Sequence, residues 1–357
     1  MNRPHPLWDP SADDAFVCQA VRAVAPGVKT VVLAPGRPSA VRFEAGQYVT
    51  IEFDIDGILV NRCYTIASPP TRPDRIAITV KRTGRGTVSG WLHDGGMAPG
   101  SVVRVGEPQG AFTLAAHPAP AYLLLTAGSG ITPALSIVRA LYDLGSDRDV
   151  TLVHSQRRPD EVPYRDELDW MARHSPGLRI HYLCGDVAGD DPAAHVVAGR
   201  LGPDILARLV PDAAAREVLA CGPASYRAEA RAAVTANGGS PERFQEESFA
   251  FEAAAEIAPA TRPTGGFRVE FRDHGVTVDC PAGTTLLAAA EAAGLTLPSS
   301  CAEGLCGTCK STLVSGEVDM RANGGIRPRE VAAGRVLLCC SRPLTDLVVT
   351  RRLHRSI

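Results

Sequence analysis

The 357-residue sequence has no apolar run long enough to cross a bilayer. Its longest, such as Ala121–Ala127, fall far short of the roughly 20 residues a spanning helix needs. It shows no secretory signal, because Met1–Pro10 carries three prolines and no apolar h-region. Neither charge is in excess: Lys+Arg 37 stands against Asp+Glu 39, a net charge of -2, which removes any electrostatic case for nucleic acid. No internal repeat is visible. A composition of 45% hydrophobic and 21% charged residues excludes a disordered tail and a collagen-like or coiled-coil fibre. These absences lead us to expect a cytoplasmic protein with no membrane or nucleic-acid partner. At roughly 100–200 residues per domain, the length suggests two or three domains.

Cysteine, by contrast, is plentiful. Ten are present, in a compartment where structural disulfides are uncommon. Cys18, Cys63, Cys184, Cys221 and Cys280 are scattered, whereas Cys301, Cys306, Cys309, Cys339 and Cys340 crowd into the last fifth of the chain. Such a cluster points to metal or redox chemistry.

Patterning divides the chain. Residues 1–15 form an N-terminal extension. Residues 16–117 carry short runs rich in Val, Ile, Thr or Tyr (Val28–Leu33, Gln47–Phe53, Val60–Ile66, Arg75–Lys81), broken by Gly and Pro, which suggest a small antiparallel barrel. From residue 118 to 251 the buried-strand runs Tyr122–Ala127, Val150–His154, Ile180–Leu183 and Val218–Ala220 alternate with helical stretches at Ala134–Leu144, Arg165–Arg173 and Ala224–Ala236. That alternation predicts a parallel α/β domain. Residues 252–265, rich in Ala and Pro, read as a linker. Residues 266–357 read as a small α+β domain, with a hairpin turn at Asp273-His274-Gly275 and a helix from near Thr284 to Ala293.

Cys301-x4-Cys306-x2-Cys309 has the spacing of plant-type [2Fe–2S] proteins, whose fourth cysteine lies well downstream. The loop must wrap closely, and Gly304 and Gly307 allow it because glycine adopts positive φ without cost to a side chain. The fourth ligand is Cys339 or Cys340; neighbours on a strand face opposite ways, so only one can serve. Four thiolates also suit zinc, but zinc sites usually pair two short Cys-x2–4-Cys knuckles. Four buried, unliganded cysteines would be the bland alternative.

Other segments are weaker taken singly. Arg62-Cys63-Tyr64-Thr65 ends a strand: an Arg can pair with a phosphate, a Tyr ring can stack on a flat cofactor, and a Thr hydroxyl can bond a ring nitrogen. Gly86-Thr87-Val88-Ser89 precedes the helical Gly90–His93 and could cradle a phosphate, or simply cap a helix. Gly128-Ser129-Gly130-Ile131-Thr132-Pro133 follows a strand, with Thr132 suited to the N-cap and Pro133 to the first helical position. Cys221-Gly222-Pro223 is a second glycine turn after a strand. In a parallel sheet both turns lie where ligands bind.

Together these segments resemble the ferredoxin–NADP reductase-like flavoproteins, and within them the oxygenase reductase components with a C-terminal plant-type ferredoxin domain. The resemblance covers almost the whole chain after Phe16. It implies a multidomain fold: an antiparallel β-barrel flavin domain, a parallel-sheet α/β nicotinamide domain and an α+β (β-grasp) [2Fe–2S] domain. It assigns Arg62, Tyr64 and Thr65 to the flavin, with Val80 and Lys81 from the strand that follows. Gly86, Thr87, Val88 and Ser89 match the pyrophosphate motif in its FAD form, so FAD is expected. Glu247-Ser248-Phe249 resembles the segment that closes the nicotinamide domain, with Phe249 beside the flavin. Gly128, Ser129, Gly130, Thr132 and Pro133, with Ser155, Arg157, Cys221, Gly222 and Pro223, match the NAD(P)H motifs. The ligands become Cys301, Cys306, Cys309 and Cys339, the last by its thirty-position spacing and Leu-x-Cys-x-Ser-Arg-Pro context. Arg157 and Arg158 could hold a 2′-phosphate, but an Arg here is also usual in NADH-dependent relatives; NADH is expected, with NADPH open. The implied activity is electron transfer from the nicotinamide through FAD and the cluster to a Rieske-type non-haem iron oxygenase. Another acceptor (a cytochrome P450 or a hybrid-cluster protein) and a redox-sensing module without turnover are the alternatives.

Overall fold

The computed structural model describes residues 5–10, 12–84, 88–247, 266–295, 297, 299, 304, 307–322, 325–326 and 328–350. The expected linker 252–265 lies outside them, as do Gly86, Thr87, Phe249, Cys301 and Cys306. Two compact units emerge: Met1–Val49 with Tyr64–Ala250, and Thr50–Cys63 with Phe251–Ile357.

Six strands open the chain: β1 (Ala15–Ala25), β2 (Val28–Pro35), β3 (Tyr48–Ile55), β4 (Ile58–Thr65), β5 (Ile76–Lys81) and β6 (Val102–Val105). They form one sheet in the order β4-β3-β6-β1-β2-β5. Its edges meet beyond β4, where Ile66 bridges Ile78 and the Ala67 N–H donates to the Ala77 carbonyl at 2.7 Å. Closure of this kind leaves no free edge to aggregate. Alternation sends Val49, Ile51 and Phe53 of β3 fully inward. The helix expected at Gly90–His93 starts earlier: α1 spans Val88–Trp91, and a wider turn continues it over Leu92–Gly96.

The α/β domain runs β7 (Ala121–Ala127), α2 (Ile131–Asp143), β8 (Asp149–Gln156), α3 (Arg165–His174), β9 (Leu178–Cys184), β10 (Val196–Ala198), α4 (Pro203–Leu209), β11 (Glu217–Cys221), α5 (Ala224–Ala236) and β12 (Phe244–Glu247). All six strands are parallel, in the order β10-β9-β8-β7-β11-β12. The chain moves outward from β7 one way and then crosses to β11 on the other side. The direction therefore reverses between β7 and β11, the place where open α/β sheets bind ligands.

Barrel and α/β domain share a seam. Ala67 and Phe112 of the barrel join Leu135, Ile137 and Tyr182 in one core. Ser136 Oγ donates to Ser68 O at 2.8 Å, and Arg139 Nη1 to Ala67 O at 2.8 Å. Tyr164, held at φ +58, bonds through its hydroxyl to Thr30 and to Thr79 of adjacent barrel strands.

The C-terminal domain contains β13 (Gly266–Phe271), β14 (Val276–Pro281), α6 (Leu286–Ala292), β15 (Lys310–Ser315), β16 (Val318–Met320), α7 (Pro328–Ala332), β17 (Arg335–Leu337), β18 (Ser341–Pro343) and β19 (Leu347–Thr350). Five strands form a mixed sheet, β14-β13-β19-β15-β17, in which only β13 and β19 run parallel. Helix α6, capped by Thr285 Oγ1, packs Leu286, Leu287 and Ala290 into the same core as Val269, Val336 and Val349.

Candidate functional site: nicotinamide, flavin and cluster

The parallel register brings the carboxyl ends of four strands level. Thr126 of β7 pairs with His154 of β8 and with Cys221 of β11, and Cys221 pairs with Glu247 of β12. Immediately beyond lie the two glycine turns, each leading into a 13-residue helix, α2 or α5. Amide groups at such helix starts favour anions. The turns also lie against each other. A Cβ on Gly130 would fall 2.2 Å from Cys221 O, and one on Gly222 would meet Tyr226 Cδ1 at 2.9 Å. Gly128, at φ +56, opens instead toward Lys81 Nζ, 4.0 Å from where a Cβ would be.

Helix α2 starts at Ile131 with Gly130 as its N-cap residue, not at Pro133 behind Thr132. A 3-10 turn at Gly128–Gly130 runs directly into it, so Thr132 already lies in the first turn and bonds the Ser129 carbonyl through Oγ1 at 3.1 Å. Pro133 stays within that turn, where a missing N–H costs nothing. Ser155 is the last residue but one of β8, while Arg157 and Pro223 are exposed.

Among the described residues, several buried polar atoms here have no hydrogen-bond partner: His154 Nε2, Ser155 Oγ, Tyr226 OH and Glu247 Oε2. Ser155 lies close enough to lower the Tyr226 phenol against the burial that raises it, yet the pair misses hydrogen-bonding geometry. His154 Nδ1 is 2.9 Å from Thr126 Oγ1, and burial, then Lys81, lowers its pKa to about 3, so the imidazole is neutral. Burial lifts Glu247 to about 8, and burial followed by Glu247 pushes the Cys221 thiol up. Buried polar groups are normally satisfied; their concentration at one sheet edge fits a polar ligand. Sequence singles out Ser155 and Cys221 as site residues and Glu247 as part of a motif, but not Tyr226 or His154; the signal for His154 is a lone polar residue ending an apolar run.

Glu247 makes stability pH-dependent. Between the ordinary 4.5 and the folded value of about 8, the folded chain keeps a proton that the unfolded chain has lost. Stability therefore falls as pH rises through that window. Glu247→Gln should flatten this limb in thermal midpoints measured from pH 4.5 to 8; an unaltered slope would contradict the assignment.

Strand β4 delivers the flavin motif. Arg62 and Tyr64 are half-buried, and Thr65 is buried with its Oγ1 unpartnered among the described residues, which leaves it open to a flavin hydrogen bond. Val80 is buried at the end of β5 and Lys81 is exposed beside it. Val88 is buried, and Ser89 Oγ accepts the Thr83 N–H at 3.1 Å. Arg62→Ala should weaken FAD retention by about 1.5–3 kcal/mol through loss of a charge-assisted phosphate contact. Full FAD occupancy after extensive dialysis would refute that role.

Near the cluster loop, Gly304 and Gly307 have φ +75 and +69, the left-handed turns that a tight wrap demands. Gly304 N–H donates to Cys339 Sγ at 3.3 Å, and Cys339 N–H to Cys309 Sγ at 3.4 Å. Amides aimed at sulfur suit thiolates holding iron. Cys340 Sγ turns the other way, donating to Leu337 O at 3.7 Å.

Comparison with known proteins agrees with this geometry. Residues 18–114 match an oxidoreductase FAD-binding domain, 124–231 an oxidoreductase NAD-binding domain, and 269–344 a 2Fe-2S iron-sulfur cluster binding domain. The glycine betaine monooxygenase reductase subunit of Pseudomonas aeruginosa is 36% identical over 334 residues, covering 90% of this chain and 91% of its own. The chain belongs to this family of flavin iron–sulfur reductases. The stachydrine N-demethylase reductase subunit of Rhizobium meliloti is also 36% identical, over 91% of this chain and 93% of its own. The fold is similar to that of phthalate dioxygenase reductase, with TM-score 0.57 and 26% identity over 96% of this chain and all of that one. This reductase is thus an NAD(P)H-dependent oxidoreductase with FAD and a [2Fe–2S] domain. Among the described residues no helix is long and apolar enough to cross a membrane.

Proposed function

We propose that this reductase takes electrons from NADH and delivers them to a cytoplasmic Rieske-type non-haem iron oxygenase that demethylates its substrate. The observation that carries the reading is a single chain holding both a parallel-sheet edge with two abutting glycine turns and the Cys309–Cys339 sulfur pair with its amide donors. When bound, the flavin converts a two-electron hydride into single electrons, which a [2Fe–2S] cluster can accept. The chain's own part is placement. Arg62 would anchor the flavin phosphate, Tyr64 would stack on the ring and Thr65 would supply a hydrogen bond. Gly86, Thr87, Val88 and Ser89 would cradle the pyrophosphate, and Phe249 would shield the flavin ring when no nicotinamide is bound. Gly128–Gly130 and Cys221–Gly222 give the coenzyme a close backbone approach, and no residue need transfer a proton. Cys301, Cys306, Cys309 and Cys339 would hold the cluster.

The coenzyme preference rests on what the arginines already do. Arg157 pairs with Glu161 at 2.6 Å and with Asp186 at 3.7 Å, and Arg158 pairs with Asp160. Carboxylates around both guanidiniums disfavour a 2′-phosphate, which supports NADH. The acceptor rests on relatives named for a monooxygenase and an N-demethylase. Reconstitution with candidate oxygenases tests the reading: NADH-driven demethylation with one of them supports it. Turnover only with a cytochrome P450, or no steady NADH oxidation with an artificial acceptor, would overturn it.

A further inference from the structure

The strand that carries the flavin arginine also carries a residue to which no cofactor role is assigned. Asn61 immediately precedes Arg62, is only 7% exposed, and belongs to the same compact unit as the C-terminal domain. Its Nδ2 donates to the Gly307 carbonyl at 3.2 Å. Its own carbonyl accepts from Thr308 Oγ1 at 3.4 Å and from Arg62 Nη1 at 2.7 Å. One residue therefore grips two consecutive positions directly before Cys309, and the same carbonyl steadies the guanidinium. The loop has little slack. Gly307 is left-handed, and a Cβ there would fall 2.6 Å from Gly325 O and 3.5 Å from Asn61 Nδ2. Lys310, just beyond Cys309, is buried and paired with Glu330 at 2.7 Å, which anchors the other side.

We propose that Asn61 is a positioning residue for the one-electron step: by clamping Gly307 and Thr308 it fixes the cluster loop against the strand that carries Arg62. The inference rests on the proposed reading that Arg62 holds FAD and Cys309 the cluster. One electron leaves the reduced flavin and enters the oxidised cluster, and no covalent bond forms or breaks. Because tunnelling slows steeply with separation, a loosened loop slows this step alone. Asn61 donates to a backbone carbonyl and not to sulfur, so it sets distance and leaves the cluster potential alone.

The test uses the fully loaded protein, mixed anaerobically with NADH, as wild type, Asn61→Ala and Asn61→Asp. The second variant keeps the side-chain shape but sets a carboxylate oxygen against the Gly307 carbonyl. Flavin bleaching should keep its wild-type rate in both. Cluster reduction, followed in the visible bands and by freeze-quench EPR, should slow at least about tenfold. The cluster midpoint potential should not move. Wild-type rates of cluster reduction in both variants would overturn the proposal. So would a slowed step with a shifted potential, because driving force would then be the cause. A wild-type protein whose cluster NADH never reduces would instead defeat the underlying reading.

Discussion

Cys339→Ser is expected to abolish the [2Fe–2S] absorbance, while Cys340→Ser leaves it largely intact. Burial does not separate the two, at 6% and 8% exposed. Direction does. The Cys339 sulfur receives the Gly304 amide, and its own amide reaches the Cys309 sulfur, so both thiols lie within one small set of donors. The Cys340 thiol points back to Leu337 O; both cysteines lie in the turn that follows β17, so the turn, and not the strand alternation expected from sequence, sends the two thiols apart. A serine at 339 exchanges a soft thiolate for a poor iron ligand, and loss of one of four ligands removes much of the energy that orders the loop. The flavin half should survive. The core that joins barrel and α/β domain contains no residue of the C-terminal domain, so NADH should still bleach the flavin and drive ferricyanide reduction. Visible spectra and iron content of the purified variants decide the matter; a cluster lost in Cys340→Ser and kept in Cys339→Ser would reverse the assignment.

Gly130→Ala should be nearly as damaging to the other half. The backbone at Gly130 is ordinary (φ -63, ψ -4), so alanine meets no conformational penalty there. The obstacle is space: the new Cβ would lie 2.2 Å from Cys221 O, 2.5 Å from Cys221 C and 2.9 Å from Gly222 N. Backbone atoms cannot rotate away as a flexible side chain can. The two glycine turns must separate, at a cost on the order of 1–3 kcal/mol for overpacking. The separation falls where the coenzyme would approach, so NADH affinity should drop at least about tenfold, equivalent to 1.4 kcal/mol. Equilibrium binding of NADH, or the KM with ferricyanide, measures it. Gly128→Ala makes a useful contrast, because there the cost comes from φ +56 and not from a neighbour. Wild-type NADH binding in Gly130→Ala would show that the turns do not form the coenzyme seat.

The parts legible in the sequence were those with local signatures. Cysteine spacing and two glycines at positive φ defined the cluster loop, and the strand–helix alternation after residue 118 became a parallel sheet whose turns fall at its switch point. What stayed hidden depended on contacts distant in sequence. Helix α2 starts at Ile131 behind Gly130, where the sequence suggests Pro133 behind Thr132, because a 3-10 turn feeds it, a choice of backbone path that capping propensity does not encode. Glu247 was visible as part of a motif, but its raised pKa comes from burial that only the folded sheet creates. His154 owes its neutrality to the same cause. Asn61 carried no signal at all, since its partners lie 246 and 247 residues away.

The central claim is that hydride taken from a nicotinamide leaves this chain as single electrons through the cluster. Anaerobic addition of NADH to the fully loaded protein, followed by optical and EPR spectroscopy, tests it most directly. The account predicts that flavin absorbance bleaches first and that the EPR signal of a reduced [2Fe–2S] centre then grows in without any partner present. A bleached flavin beside a cluster that stays oxidised, yet can be reduced by dithionite, would contradict it.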